Sequence, residues 1–443
     1  MQIQLSEHFT YGKLLRFMLP SIVMMVFTSI YGVVDGIFVS NFAGKIPFAA
    51  INLIMPYLML FGSVGFMVGT GGTALISKTL GMGQKEKANS IFSLLTYLCL
   101  VLGVVVTVVA MLLLRPAAIL LGAKGQMLDD CIRYGMIVLP ATTAYILQYA
   151  FQSFCVTAEK PNLALWMMVA AGVCNIVLDA LFVAVFRWGL AGAAAATAIA
   201  QIIGAIIPLI YFARPNTSLL RLGKCAIDGK ALLRTCSNGA SELMNNLSMS
   251  IVGILYNLQL LRYAGENGVA AYGVIMYLNF VFMAIFIGIA IGTAPLIGFN
   301  YGADNRSELK NLLRKSLVIL AVVSLLMCAL SIILAKPLSA IFVGYDQTLL
   351  EMTVRGLIIY SLSFLLSGFN MFGSSLFTAL NNGLISAVIS FVRTLVCQIA
   401  AVLLLPLVWE LDGIWASVVV AELVALLLTA VLVIKYRHRY HYM

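Results

Sequence analysis

The chain has 443 residues, 62% of them hydrophobic and only 10% charged, with a formal net charge of +10. Soluble globular chains carry about 25% charged residues, so the composition excludes a soluble fold and specifies a polytopic membrane protein. The basic excess lies between apolar runs, which speaks against nucleic acid as a partner, and no short apolar core with a small-residue cleavage site opens the chain, so no cleaved signal peptide is expected.

Twelve apolar runs follow in order, at 14–39, 46–76, 91–114, 132–156, 162–186, 190–213, 236–261, 268–298, 314–335, 353–377, 384–408 and 413–435. Each is long enough for a crossing, which takes about 20 apolar residues. The predicted fold is an all-α polytopic membrane protein of twelve transmembrane helices. The polar, basic stretch RPNTSLLRLGKCAIDGKALLR, 214–234, interrupts the runs near the middle. It reads as a linker between a first six-helix lobe, 1–213, and a second, 235–443.

The two halves are a repeat at a fixed offset of 221 residues. Gly32 meets Gly253, Ala43-Gly44 meets Ala264-Gly265, and Leu75-Ile76 meets Leu296-Ile297. Gly81 meets Gly302, Pro116 meets Pro337, Trp188 meets Trp409, and Gly192 meets Gly413. With six spans in each half, both bundles enter the membrane in the same direction, as in transporters whose halves are related by an axis along the membrane normal. With the N-terminus inside, the inner segments hold more than twice as many Lys and Arg as the outer ones, among them Lys13, Lys85, Lys160, Arg221 and Arg314 against Lys45, Arg187 and Lys336. The positive-inside rule therefore places both termini in the cytoplasm.

Four acids lie well inside spans, Asp35, Asp179, Glu242 and Glu422, together with one base, Arg393. A charge at the centre of a membrane helix costs roughly 2.5–3.5 kcal/mol even on the mild insertion scales, and it persists where it faces a polar cavity or a partner. Asp35, Asp179 and Thr197 fall at similar depths in the outer half of the first lobe, and Asn175 shares a helix face with Asp179, four residues on. Asp35, Asn175, Asp179 and Thr197 form an all-oxygen set that suits a hard cation or a shared proton. Two neighbouring carboxylates do not both stay ionised cheaply without a cation. At offset 221 these positions become Tyr256, Val396, Ala400 and Val418, so the second half keeps the scaffold and drops the polar groups. That asymmetry favours an ion site over a structural carboxyl.

Arg393 and Glu422, about one turn apart in depth, read as an ion pair, since buried charges are normally paired. Glu242, near Asn245 and Asn246, is either a second cation-responsive acid or a residue of the cytoplasmic mouth. Pro20 removes a hydrogen bond from the first helix and is placed either to bend it or to start it. Met24, Tyr31, Gln152, Tyr256 and Asn257 are candidates for a substrate cavity. The eight cysteines contain no Cys-x-x-Cys pair, and the histidines, His8, His438 and His441, are terminal. Neither a metal centre nor a catalytic triad can be built from them, so no enzyme and no cofactor is expected. Gly69-x-Gly71-Gly72 lacks the following Lys-Ser/Thr of a phosphate loop, which leaves an ion gradient as the energy source.

The chain resembles the multidrug and toxic compound extrusion (MATE) family of cation antiporters over essentially its whole length, closest to the bacterial MepA-like and DinF-like branch. The resemblance rests on Tyr31-Gly32-Val33-Val34-Asp35-Gly36-Ile37-Phe38-Val39, on Gly292-Thr293-Ala294-Pro295-Leu296-Ile297-Gly298-Phe299-Asn300-Tyr301-Gly302-Ala303, and on Asn175-x-x-x-Asp179 with Thr197. It implies that Asp35, Asn175, Asp179 and Thr197 bind Na⁺ or H⁺. It implies too that Pro20 bends the first helix, that Gln152 stands where an amide is usual, and that lipophilic organic cations are the substrates. Glu242 resembles the seventh-span acid of the branch with a second-lobe cation site, whose other acids are not evident here. The expected setting is the bacterial inner membrane, with lipids and small cations as partners and a monomer as the working unit. A lipid-linked glycan flippase of the same superfamily is the alternative. It calls for several basic residues in the cavity, where Arg393 is the one candidate.

Overall fold

A computed structural model describes residues 3–42 and 45–442. Of the repeat pairs, Ala43-Gly44 therefore lies outside the described residues, as do the side chains of Gly36, Ile37 and Lys45. The described residues form helices α1 (Tyr11–Phe42), α2 (Lys45–Gly81), α3 (Lys85–Leu120), α4 (Gln126–Val138), α5 (Thr142–Thr157), α6 (Pro161–Asp179), α7 (Gly189–Ala213) and α8 (Gly229–Gly302). These are followed by α9 (Arg306–Ile333), α10 (Ala335–Val343), α11 (Gln347–Ser361), α12 (Phe364–Ala379), α13 (Gly383–Phe391), α14 (Gln398–Leu404) and α15 (Pro406–Tyr440). No strand occurs among them. In lipid every backbone group must be satisfied within its own segment, and apolar helices do that.

Among the described residues nine helical stretches are long and apolar enough to cross a membrane, one of them α13 and α14 joined through a π turn, and the pair α11 and α12, bent by 47°, makes a tenth when taken as one span. The 74-residue α8 supplies two of the twelve apolar runs. Its backbone leaves helical geometry at Gly265, φ 64°, and the rings of Tyr256 and Tyr272 stack at 5.1 Å. In a straight helix those residues would be roughly 24 Å apart, so α8 folds back on itself. The fourth run is the broken rod α4–α5, joined by a 3₁₀ turn at Leu139–Ala141 that carries Pro140. Each of the twelve runs thus has a helical counterpart.

Pro20 lies inside α1, nine residues beyond its start at Tyr11. The helix-start alternative for this proline fails, and the interior of α1 lacks one backbone hydrogen bond there. The chain between Ala213 and Gly229 forms no regular helix. The non-helical segment before α1 ties the two halves together at the end that the Lys and Arg count assigns to the cytoplasm. Leu5 N–H donates to Glu159 Oε1 at 2.6 Å, after the fourth span. Phe9 N–H donates to Glu308 Oε1 at 2.9 Å, at the start of α9.

The halves also meet through one contact repeated by the internal symmetry. A Cβ at Gly81 would overlap the Phe299 carbonyl, and a Cβ at Gly302 would overlap the Lys78 carbonyl. The offset of 221 maps Gly81 on Gly302 and Lys78 on Phe299, so backbone touches backbone at both places, as small residues allow in membrane packing. Gly81→Val is expected to cost about 1–3 kcal/mol by overpacking. Melting of the purified protein in detergent should register that as a lower transition, and an unchanged transition would count against the contact.

Candidate first-lobe ion site

Asp35 on α1 and Asp179 at the end of α6 are brought together because α1 packs along α6. Gly172 permits this: a Cβ there would come within 2.5 Å of the Phe27 ring and 3.0 Å of the Tyr31 ring. One to two turns further out, that register sets Asp35 against Asp179. Asp179 is 0% exposed, Asn175 2% and Asp35 9%, while Thr197 on α7 is half-buried. The two carboxyls are neighbours, within electrostatic reach of each other. Even so, both oxygens of Asp179 and Oδ1 of Asp35 lack a hydrogen-bond partner among the described residues. Burying such groups without compensation costs several kcal/mol, so the pair calls for a proton or a cation.

A π-helical turn, Ala180–Val185, begins immediately after Asp179. Single π turns inside helices are frequent at functional sites. A fifth group, Tyr134 on α4, joins the four read from the sequence. It is 1% exposed and faces Thr197, Asp35 and Asp179 together. The sequence reading passed over it because a tyrosine at the outer end of a span resembles an interfacial aromatic. One signal was available, since offset 221 replaces Tyr134 with Arg355 and so marks it, like the acids, as particular to the first half. The donor set of two carboxylates, an amide and a hydroxyl fits Na⁺ or a shared proton.

The cavity candidates separate. Tyr31, half-buried, stands beside Tyr149 and Asp35. The Tyr145 and Tyr149 hydroxyls are 3.1 Å apart. Gln152 is fully buried, donates to Met168 Sδ at 3.3 Å, and has Oε1 without a partner. Tyr31, Tyr145 and Tyr149 stand next to the ion site, whereas Gln152 contacts Met168 of α6. Met24 does not adjoin the ion site, because it is 0% exposed in the apolar core. Tyr256 donates to Gln398 Oε1 at 3.0 Å within the second half, and Asn257 is exposed.

Arg393 sits in a second π turn, Val392–Cys397. Its Nη2 lies 2.8 Å from Glu422 Oε1, and its Nε donates to both carboxylate oxygens at 2.9 and 3.0 Å. Asn370, absent from the sequence reading, donates to Glu422 Oε2 at 2.7 Å and accepts from Thr429 at 3.0 Å. Glu242 is half-buried, next to Asn245 and within electrostatic reach of Arg393. It lies apart from the first-lobe site.

The MatE family profile matches residues 20–181 and again 243–404. Similar proteins include "Multidrug export protein MepA" of Staphylococcus haemolyticus (strain JCSC1435), 25% identical over 435 residues, 98% of this chain and 95% of that one. The protein of the same name from Staphylococcus aureus (strain MRSA252) is 24% identical over 431 residues, 97% and 94% of the two chains. Among solved structures, the outward-facing conformation of a multidrug resistance MATE family transporter of the MOP superfamily superposes with a TM-score of 0.92 at 23% identity, covering 98% of this chain and 97% of that one. A MOP superfamily transporter from Pyrococcus furiosus, described as having a binding pocket of reversed polarity, gives 0.90 at 23%, covering 97% and 96%. At these identities the structural likeness establishes the two-lobe fold.

Proposed function

The chain belongs to the MatE family, and from that premise we propose that it is a multidrug exporter of the bacterial inner membrane that exchanges amphiphilic organic cations for H⁺ or Na⁺. The observation that carries this reading is the Asp35–Asp179 pair, buried in the first lobe with three oxygens unpartnered. On this reading 1–213 and 235–443 are the moving lobes, 214–234 is the linker, both termini are cytoplasmic, and the monomer is the working unit.

Asp35, Asn175, Asp179 and Thr197 would hold the ion, with Tyr134 orienting Thr197 and the carboxyls. When both aspartates are charged, they attract an organic cation against the wall formed by Tyr31 and Gln152. A proton or Na⁺ on the pair removes that attraction. Bending of α1 at Pro20 would then narrow the pocket. Ion and drug compete for one charge state, which supplies the differential affinity that antiport requires.

Drug affinity, measured by fluorescence polarisation on purified protein, is expected to fall as pH drops or Na⁺ rises, and Asp35→Asn is expected to remove that dependence. Proteoliposomes with Na⁺ and pH gradients imposed separately would identify the coupling ion. Wild-type affinity indifferent to both ions would rule out the scheme.

A further inference from the structure

Two straps cross between the halves at the end that the Lys and Arg count assigns to the cytoplasm. Each half is led into by a non-helical segment, and each segment lies on the third span of the opposite half. The segment before α8 runs along α3. Arg221 N–H donates to Asn89 Oδ1 at 2.9 Å, Gly223 N–H to Ser93 Oγ at 3.0 Å, and Ala226 N–H to Ser90 Oγ at 3.3 Å. The segment before α1 runs onto α9, where the backbone of Phe9 is held on both sides. Its N–H donates to Glu308 Oε1 at 2.9 Å, and its carbonyl accepts from Asn311 at 3.0 Å and from Lys315 at 2.5 Å. Glu308, Asn311 and Lys315 share one face of α9. Glu308 Oε2 also lies 2.6 Å from His8 Nδ1.

The two straps differ in chemistry. The one on α3 is held by an amide and two hydroxyls, and it has chain on both sides. The one on α9 is held by charged groups. Glu308 is 6% exposed and Glu159 7%, and each accepts a backbone N–H of the strap, from Phe9 and from Leu5. The side chains of Leu5 and Phe9 are buried in the apolar core. The strap thus has one anchor on each half, with four residues between them. Fully extended, four residues reach about 14 Å at most, and a turn shortens the strap further. In that turn Glu7 N–H donates to Gln4 O at 3.2 Å, and Gln4 N–H donates to Glu7 Oε1 at 3.0 Å. Parting the halves here therefore means opening the turn or taking a donor from a buried carboxylate, which is costly. The seam beside the strap is closed. Asn381 Nδ2 of the second half donates to the Ala74 carbonyl of the first at 2.8 Å, next to the Gly81 and Gly302 contacts.

We infer that segment 3–10 is a latch that keeps the cytoplasmic ends of the lobes together, and that opening toward the cytoplasm requires Phe9 to leave the Glu308, Asn311 and Lys315 face. A contact made in one conformation and lost in the other biases the population toward the first. The inference rests on the two lobes being the moving parts, and it is read without drug or ion gradient.

Hydrogen exchange, followed by mass spectrometry on the purified protein in nanodiscs, compares the wild type with Glu308→Ala and with Asn311→Leu/Lys315→Met. The double variant leaves Glu308 and the start of α9 intact. Both are expected to speed exchange at the inner seam, 74–81 and 295–303, by about fivefold or more. The outer ends, 126–138 and 347–353, are expected to exchange no faster. That contrast separates release of a latch from general loosening, which would speed both ends. Unchanged seam exchange in Asn311→Leu/Lys315→Met, or equal acceleration at both ends, would overturn the inference. Drug affinity indifferent to H⁺ and Na⁺ would sink the exchange scheme and leave this measurement untouched, so the two fail separately.

Discussion

Asp179→Asn is expected to reduce drug resistance to the level of an empty vector in cells stripped of their own pumps, while the protein is made and inserted normally. The argument starts from burial. Asp179 is 0% exposed, with both oxygens unpartnered and Asp35 alongside. Asparagine keeps the shape and loses the ionisable oxygen, so it removes the switch between charge states and also the cost of a buried carboxylate. Activity and stability should therefore move apart, with export abolished and the melting transition level or higher. A structural carboxyl would do the opposite, losing stability and keeping export. Asp35→Asn is expected to match it. Thr197→Val, which removes a neutral ligand and leaves the charge switch, is expected to weaken export without abolishing it. Full resistance in Asp179→Asn would refute the ion-site reading.

The fold was legible in the sequence because a membrane leaves few options. Apolar length marks the spans, and the offset of 221 marks the halves. Asp35 and Asp179 stood out for the same reason, since an acid inside an apolar run needs a partner. The breaks within spans were less visible. Pro140 gives a local reason for the 3₁₀ turn between α4 and α5, but the π turn after Asp179 has no counterpart in Ala180–Val185, whose residues would all suit an ordinary helix. Tyr134 and Asn370 were missed because their roles depend on which neighbouring helix they face, and hydropathy carries no rotational information. The strain at Glu410 was hidden for a related reason. The repeat puts Glu410 where the first half has Gly189, and only the backbone shows that both take a positive φ, 49° and 56°.

Arg393→Met and Glu422→Leu, made singly, are expected to destabilise the protein strongly, and together much less than their sum. Arg393 reaches Glu422 through two nitrogens and both oxygens, at 7% and 3% exposure. Removing one partner of a buried pair costs about 3–5 kcal/mol, because the other charge is left without compensation, and replacing both by apolar groups is often close to neutral. The pair also has a function in the fold. It joins the π turn at Val392–Cys397 to α15, and through Asn370 it reaches α12, so three spans of the second lobe share one polar knot. Such a knot suits a lobe that moves as a rigid unit, which alternating access requires of it. After Glu422→Leu, Arg393 retains Glu242 within electrostatic reach, and Glu242→Gln on that background is expected to deepen the loss. The measurement is a double-mutant cycle of thermal unfolding in detergent, with export assayed alongside. Additive losses would show that the two charges do not depend on each other, whatever their distance.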